Sequence, residues 1–277
     1  MPTRSSRCSI WPRPTPEGSA AFQKKRAEMT PTALATTAVL STAAAAGGAA
    51  YAALWPESQI FGPVLVAGPD PREIALTYDD GPNDDATERL LEVLARYDVH
   101  ASFFLIGGFV RQRPALTRSI AAAGHLIGNH TMTHPWLSWQ SSRRIREELA
   151  DCNAVLEDTL GTPVHFFRPP HGARRPIVLR TARELGLTAV QWNVTAFDWN
   201  PISAEEIVAN ATRGIERNRR RSRASNVLLH DGGHLGIGQP RLPTVEATSR
   251  LLQQYTSAGM KFVTPAAWRG CTASAVP

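Results

Sequence analysis

Between residues 72 and 265 the chain alternates short apolar runs with helix-length segments, and that alternation constrains its fold more than any other feature. The apolar runs fall at 74–78, 102–106, 126–129, 164–167, 189–194, 226–230 and 261–264. Between them, apolar residues recur at helical spacing. Leu90, Leu91 and Leu94 follow the first run; Ile145, Leu149, Cys152, Leu156 and Leu160 mark a helix over 142–160; Val245, Leu251, Leu252 and Tyr255 mark another over 243–258. Seven strands alternating with helices predict a parallel sheet, either closed as a barrel or open and doubly wound. A chain of 277 residues holds one such domain with a tail to spare. No internal repeat is present.

The formal charge of +6 invites a nucleic-acid reading, but its location argues against one. Residues 1–28 hold six Lys/Arg against two acids, so the rest of the chain is close to neutral. No nucleic-acid partner is expected. Residues 29–56 carry no charge and are rich in Ala, after the Lys24-Lys25-Arg26 cluster. A positive cluster followed by an uncharged run predicts an export signal or N-terminal anchor, with cleavage and retention both open. The expected organisation is a basic segment 1–28, an apolar signal or anchor 29–56, a Pro/Gly-containing linker 57–71, the domain 72–265 and a tail 266–277. Three cysteines make no disulfide framework. Cys152 sits on the apolar helical face; Cys8 lies before the uncharged run, and Cys271 in the tail leaves a Cys152–Cys271 bridge possible. Arg217, Arg219, Arg220, Arg221 and Arg223 form a cluster that reads as a solvated helix end or as a contact for an anionic polymer.

The polar residues at the ends of the runs carry the chemistry. The first run ends in Thr77-Tyr78-Asp79-Asp80-Gly81-Pro82. Adjacent carboxylates alternate sides on a strand, yet both can face one pocket where the strand breaks into a turn. The third run leads into His130-Thr131-Met132-Thr133-His134, whose two imidazoles converge if the segment makes a helical turn. With Asp80 they supply three metal ligands and leave a position open. That set suits a catalytic zinc and equally a non-haem iron oxygenase. Asp79 is placed to take a proton from an attacking water, and His230, ending the sixth run, to protonate a leaving amine. Arg168 can hold a carboxylate ionised, Asp198 can orient an imidazole, and Trp199 offers an aromatic wall. All lie at or just past the C-terminal ends of the expected strands, the face where α/β sheets build their sites.

In these blocks the chain resembles the polysaccharide deacetylases of the NodB-homology type, carbohydrate esterase family 4. TYDDGP at 77–82, HTMTH at 130–134, RPPHG at 168–172, DW at 198–199 and LLH at 228–230 occur in order. The stretch 103–107 and Gly124-His125 fit the same pattern, so the resemblance covers about residues 72–265. It implies a distorted (β/α)7 barrel. It also implies Asp79 as general base, Asp80, His130 and His134 as metal ligands, Arg168 as tether of Asp79, and His230 as general acid tuned by Asp198. Trp199 and Leu228 would line an acetyl-methyl pocket, and an amide of the Pro170, His171 and Gly172 turn, that of His171, would hold the oxyanion. Tyr78 replaces the usual Phe and His171 a common Tyr, which changes the surface offered to the sugar.

The expected activity is metal-dependent removal of N-acetyl groups from an aminosugar polymer, peptidoglycan first and chitin-type oligomers next. Zn2+ is the expected ion, with Co2+ as a substitute. The protein is expected to be an exported monomer that meets the membrane only through its N-terminal segment. The alternatives are an O-acetyl esterase, a non-sugar amidase, a metal oxygenase, or a carbohydrate-binding pseudoenzyme that should have lost one of these residues.

Overall fold

The computed structural model describes residues 31–269. The basic segment 1–28, Cys8 and Cys271, and with it any Cys152–Cys271 bridge, lie outside the described residues. By contacts the chain divides after Ala49 into two compact units. The first carries most of helix α1 (Pro31–Leu54), which covers the uncharged run. Among the described residues no helix is long and apolar enough to cross a membrane.

The second unit is built on one parallel sheet. Its centre is β1 (Glu73–Gly81), buried from Ile74 onward. A strand covered on both faces needs a continuous apolar run rather than alternation, and Ile74, Ala75, Leu76 and Tyr78 supply it. The other strands are β2 (Ser102–Leu105), β3 (Leu126–Asn129), β4 (Phe166–Phe167), β5 (Thr188–Ala189), β6 (Val194–Thr195), β7 (Ser225–His230) and β8 (Lys261–Phe262). Their order is β5-β4-β3-β2-β1-β7-β6, with β8 paired to the start of β1. The terminal strands β5 and β6 are consecutive in the chain, so the sheet curls on itself as a distorted, incomplete (β/α)7-type barrel.

The run at 189–194 was expected to be one strand and is two. Val190 N–H still donates to Phe167 on the β4 side (2.8 Å), while Asn193 N–H donates to Asn226 on the β7 side (3.2 Å). The backbone of Leu65 enters the break, donating to Ala189 O and accepting from Gln191 N–H, both at 2.8 Å. Leu65 is buried, and Asn226 Nδ2 reaches Val66 O at 3.0 Å. Segment 57–71, expected as a linker, thus supplies backbone partners to the barrel. At the other end, a 3-10 turn over Pro265–Trp268 buries Trp268, whose indole N–H donates to Glu73 (2.7 Å).

Helices α2 (Ala86–Arg96), α3 (Gly107–Gln112), α4 (Pro114–Ala122), α5 (Ser142–Leu160), α6 (Pro176–Glu184), α7 (Ala204–Arg220) and α8 (Leu242–Ser257) follow the strands. Local signals set several of their ends. Ser141 caps α5, and Gly161, at φ 70°, closes it in the left-handed conformation. Ser203 and Glu206 form a reciprocal capping box at α7. The apolar face of α5 is buried at Ile145, Leu149, Cys152 and Leu156, matching its spacing. Burial pushes the Cys152 thiol up to about 12, as befits a small hydrophobe.

Candidate active site

β1 delivers Thr77 and Asp79 to one face, two residues apart, and both meet Arg168. This fully buried guanidinium, just beyond β4, donates through Nη1 to Thr77 Oγ1 and to Asp79 Oδ1, each at 2.8 Å. Its Cζ lies 4.2 Å from the Phe104 ring centroid. Burial pulls the Arg168 pKa below its usual value, and the Asp79 charge opposes this. Asp80 would point away on a regular strand. Instead the β1–β2 register shifts between Asp79 and Gly81, and Asp80 takes φ 71°, so both carboxylates reach the same cavity.

The two histidines converge without the expected helical turn. Residues 130–134 form an open bend with Thr131 at φ 68° and His134 at φ 58°. Side chains hold the bend: Asn129 Oδ1 accepts from Thr131 N–H (2.8 Å), and Thr131 Oγ1 accepts from His134 N–H (3.0 Å). Buried Glu148, on α5, accepts from Thr133 N–H (2.8 Å) and Thr133 Oγ1 (2.6 Å). His130 Nδ1 lies 2.8 Å from the Arg168 carbonyl, which can only accept, so Nδ1 donates there and Nε2 is the nitrogen turned toward Asp80.

The atoms left over face one another. Asp80 Oδ1 is 3.4 Å from His130 Nε2 and 3.1 Å from His134 Nε2, and donor atoms of the three residues lie within 4.8 Å of one another. Asp80 Oδ1 is buried with no hydrogen-bond donor. Burial works against the Asp80 charge, but both imidazoles hold its pKa well below the usual carboxylate range. One carboxylate oxygen and two imidazole nitrogens around a buried, unsatisfied point fit a divalent metal of the zinc class.

Across the cavity, His230 at the end of β7 is fixed by Asp198. Asp198 Oδ1 lies 2.8 Å from His230 Nδ1, and Oδ2 accepts from His230 N–H (2.7 Å) and from Thr244 Oγ1 (2.9 Å). Burial lowers the imidazole pKa, but Asp198, with Asp80 and Asp79, outweighs it and raises it to about 9. Trp199 meets His230 edge-on at 5.4 Å.

The turn Pro170–Gly172 holds His171 at φ 58° and Gly172 at φ 66°. A Cβ on Gly172 would lie 2.7 Å from Trp192, so the turn needs glycine there. The Gly172 and Ala173 amides close the turn (2.9 and 3.0 Å), while the His171 amide has no intramolecular acceptor among the described residues. Trp136 stacks on the His171 ring at 4.0 Å. Burial and the neighbouring histidines lower the His171 pKa to about 4.

These groups surround a cavity of about 460 Å³. Asp79, Asp80, His130, His134, His171, Trp199, Leu228 and His230 face it, while Arg168 and Asp198 stand behind and Pro170 and Gly172 shape the turn. Sequence reasoning missed Trp192, His234, Gln239 and Arg241 on its wall, and Thr77, Glu148 and Thr244 behind it. Thr77, inside the TYDDGP block on β1, and His234, close to the LLH block, carried a signal; the others are ordinary helix and loop residues until the chain folds.

The model of the polysaccharide deacetylase family matches residues 67–190. The chain is 34% identical over 193 residues to a peptidoglycan-N-acetylglucosamine deacetylase of Bacillus cereus, covering 69% of this chain and 85% of the relative. It is 40% identical over 167 residues to a chitooligosaccharide deacetylase of Rhizobium leguminosarum bv. trifolii, covering 60% and 74%. The structure superposes with a TM-score of 0.62 on a family 4 acetyl xylan esterase from Clostridium thermocellum in complex with a cobalt ion, at 34% identity over 70% of this chain and 89% of that one.

Proposed function

Because the chain belongs to the polysaccharide deacetylase family, we propose that it hydrolyses N-acetyl groups on an aminosugar polymer and releases acetate. The carrying observation is that Asp79, anchored by Arg168, and His230, anchored by Asp198, face one cavity beside the Asp80–His130–His134 cluster. Base and acid on one cavity, next to three convergent metal ligands, are what amide hydrolysis needs.

A divalent cation held by Asp80, His130 and His134 would lower the pKa of a bound water and polarise the acetamide carbonyl. Asp79 is the general base. Its Oδ1 accepts from Arg168, which orients the carboxylate and leaves Oδ2 to take the proton of the attacking water. The water oxygen joins the carbonyl carbon, and the developing oxyanion accepts from the His171 amide. His230, its Nδ1 held by Asp198, gives the Nε2 proton to the amine nitrogen as the C–N bond breaks. Trp199 and Leu228 take the acetyl methyl. The domain would run over 72–265, exported behind the 29–56 segment.

Peptidoglycan is the favoured polymer and chitin-type oligomers follow, in line with the two relatives named above. The test is acetate release from peptidoglycan, chitin oligomers and acetylated xylan, with zinc or cobalt supplied and the bound metal identified. Release from the first two supports an N-deacetylase. Release from xylan alone would turn the assignment to an O-acetyl esterase, the reading that likeness to the xylan esterase favours. No release from any would leave a binding protein, against which every proposed catalytic position being filled now argues.

A further inference from the structure

A second cavity, of about 390 Å³, shares the wall residue Trp192 with the catalytic one. Aromatic rings connect them: Trp199 lies 5.4 Å from His230 and 5.4 Å from Phe197, and Phe197 lines the second cavity. Exposed Trp55 adds a further apolar face. Exposed aromatic rings on a concave surface suit the C–H faces of sugar rings, because both are flat and only partly hydrated.

The polar lining is basic. Arg213 and Arg217 stand one helical turn apart on α7. Arg213 Nη1 donates to Asn210 Oδ1 at 3.3 Å, and Arg217 Nη2 to Asn193 O at 3.1 Å. Neither guanidinium meets a carboxylate at ion-pair distance among the described residues, whereas nearby Arg219 pairs with Glu216 and Arg223 with Glu57. Glu57 also lines the cavity, but Arg223 already engages its charge. Like charges four residues apart on a helix repel, and an anion between them relieves this while accepting charge-assisted hydrogen bonds.

We infer that this cavity is a subsite for a carboxylate carried by the polymer whose acetamide occupies the catalytic cavity. The inference rests on the deacetylase reading and narrows its substrate to anionic glycans. A neutral oligomer would fill the catalytic cavity without using either arginine. The carboxylate can come from a lactyl ether on the sugar or from a peptide attached to it; both offer the same planar acceptor.

The test compares wild type with Arg213→Gln/Arg217→Gln, neither residue being part of the catalytic cavity. KM and kcat for acetate release are measured on soluble peptidoglycan fragments and on neutral N-acetylglucosamine oligomers of matched length, at low and high salt. The double variant is expected to raise KM for the anionic fragments about tenfold at low salt, a change of about 1.4 kcal/mol. It should keep kcat, leave the neutral oligomers unaffected and lose the salt dependence. Arg217→Lys, which keeps the charge, should retain most of the affinity. Fragments with and without peptide separate the two sources of carboxylate. Equal effects on anionic and neutral substrates, or no effect on either, overturn the subsite. Failure of wild type to release acetate from any substrate overturns the deacetylase reading instead. The subsite is then judged by calorimetric binding of native against carboxyl-amidated fragments, and equal affinities overturn it.

Discussion

Adjacent in sequence, Asp79 and Asp80 are held by different partners, which is why the two carboxylates can do different work. Asp79 faces a buried guanidinium, Asp80 two imidazoles. Asp79→Asn is expected to retain bound metal yet lose roughly 10²–10⁴ in kcat, the usual worth of a positioned base. His130→Ala should instead lose the metal, as read by elemental analysis of the purified protein. Asp198 sets the other side of the chemistry. With His230 held at about 9, its acid form is depleted as pH rises through that value. Removing the Asp198 charge lowers the His230 pKa, so Asp198→Asn should move the alkaline limb of the pH–kcat/KM profile to lower pH. An unmoved limb would assign that ionisation to another group. The pairings Asp79–Arg168 and Asp198–His230 were already expected from the family resemblance; the further contacts of Arg168 with Thr77 and of Asp198 with Thr244 were not, because each joins distant elements.

Elements decide how such residues converge. The bend 130–134 is not a regular structure, and its shape depends on Asn129, Thr131 and Glu148 satisfying its backbone. Glu148→Ala leaves the Thr133 amide and hydroxyl without their acceptor, which should cost about 1–3 kcal/mol. It should also weaken metal affinity about 10–100-fold, as loss of a group supporting the ligands does. A competition titration with a chromophoric chelator reads the second effect, and thermal unfolding the first. The spacing of His130 and His134 suggested a helical turn, since a four-residue interval fits one. The positive φ values at Thr131 and His134 bring the rings together by another route. Regular helices were legible, because Ile145, Leu149, Cys152 and Leu156 bury one stripe and the stripe is written in the sequence.

Across the whole molecule, the sheet is completed by chain from outside its strands. Leu65 bridges Ala189 and Gln191 through its backbone while its side chain is buried. Leu65→Ala removes that side chain and should cost about 2–5 kcal/mol, read as a lowered midpoint in urea at unchanged slope. Nothing in residues 57–71 announced this role, because backbone pairing leaves no trace in side-chain pattern. By itself the sequence determined the α/β alternation and nominated the residues proposed to carry the chemistry, since periodicity and residue type are local properties. Only the tertiary structure decided that Asp79 and Asp80 share a cavity, that the 189–194 run splits, and that Arg213 and Arg217 line a cavity without counter-charges. Those outcomes depend on which distant backbone and charge each group meets, and such meetings exist only once the chain has closed on itself.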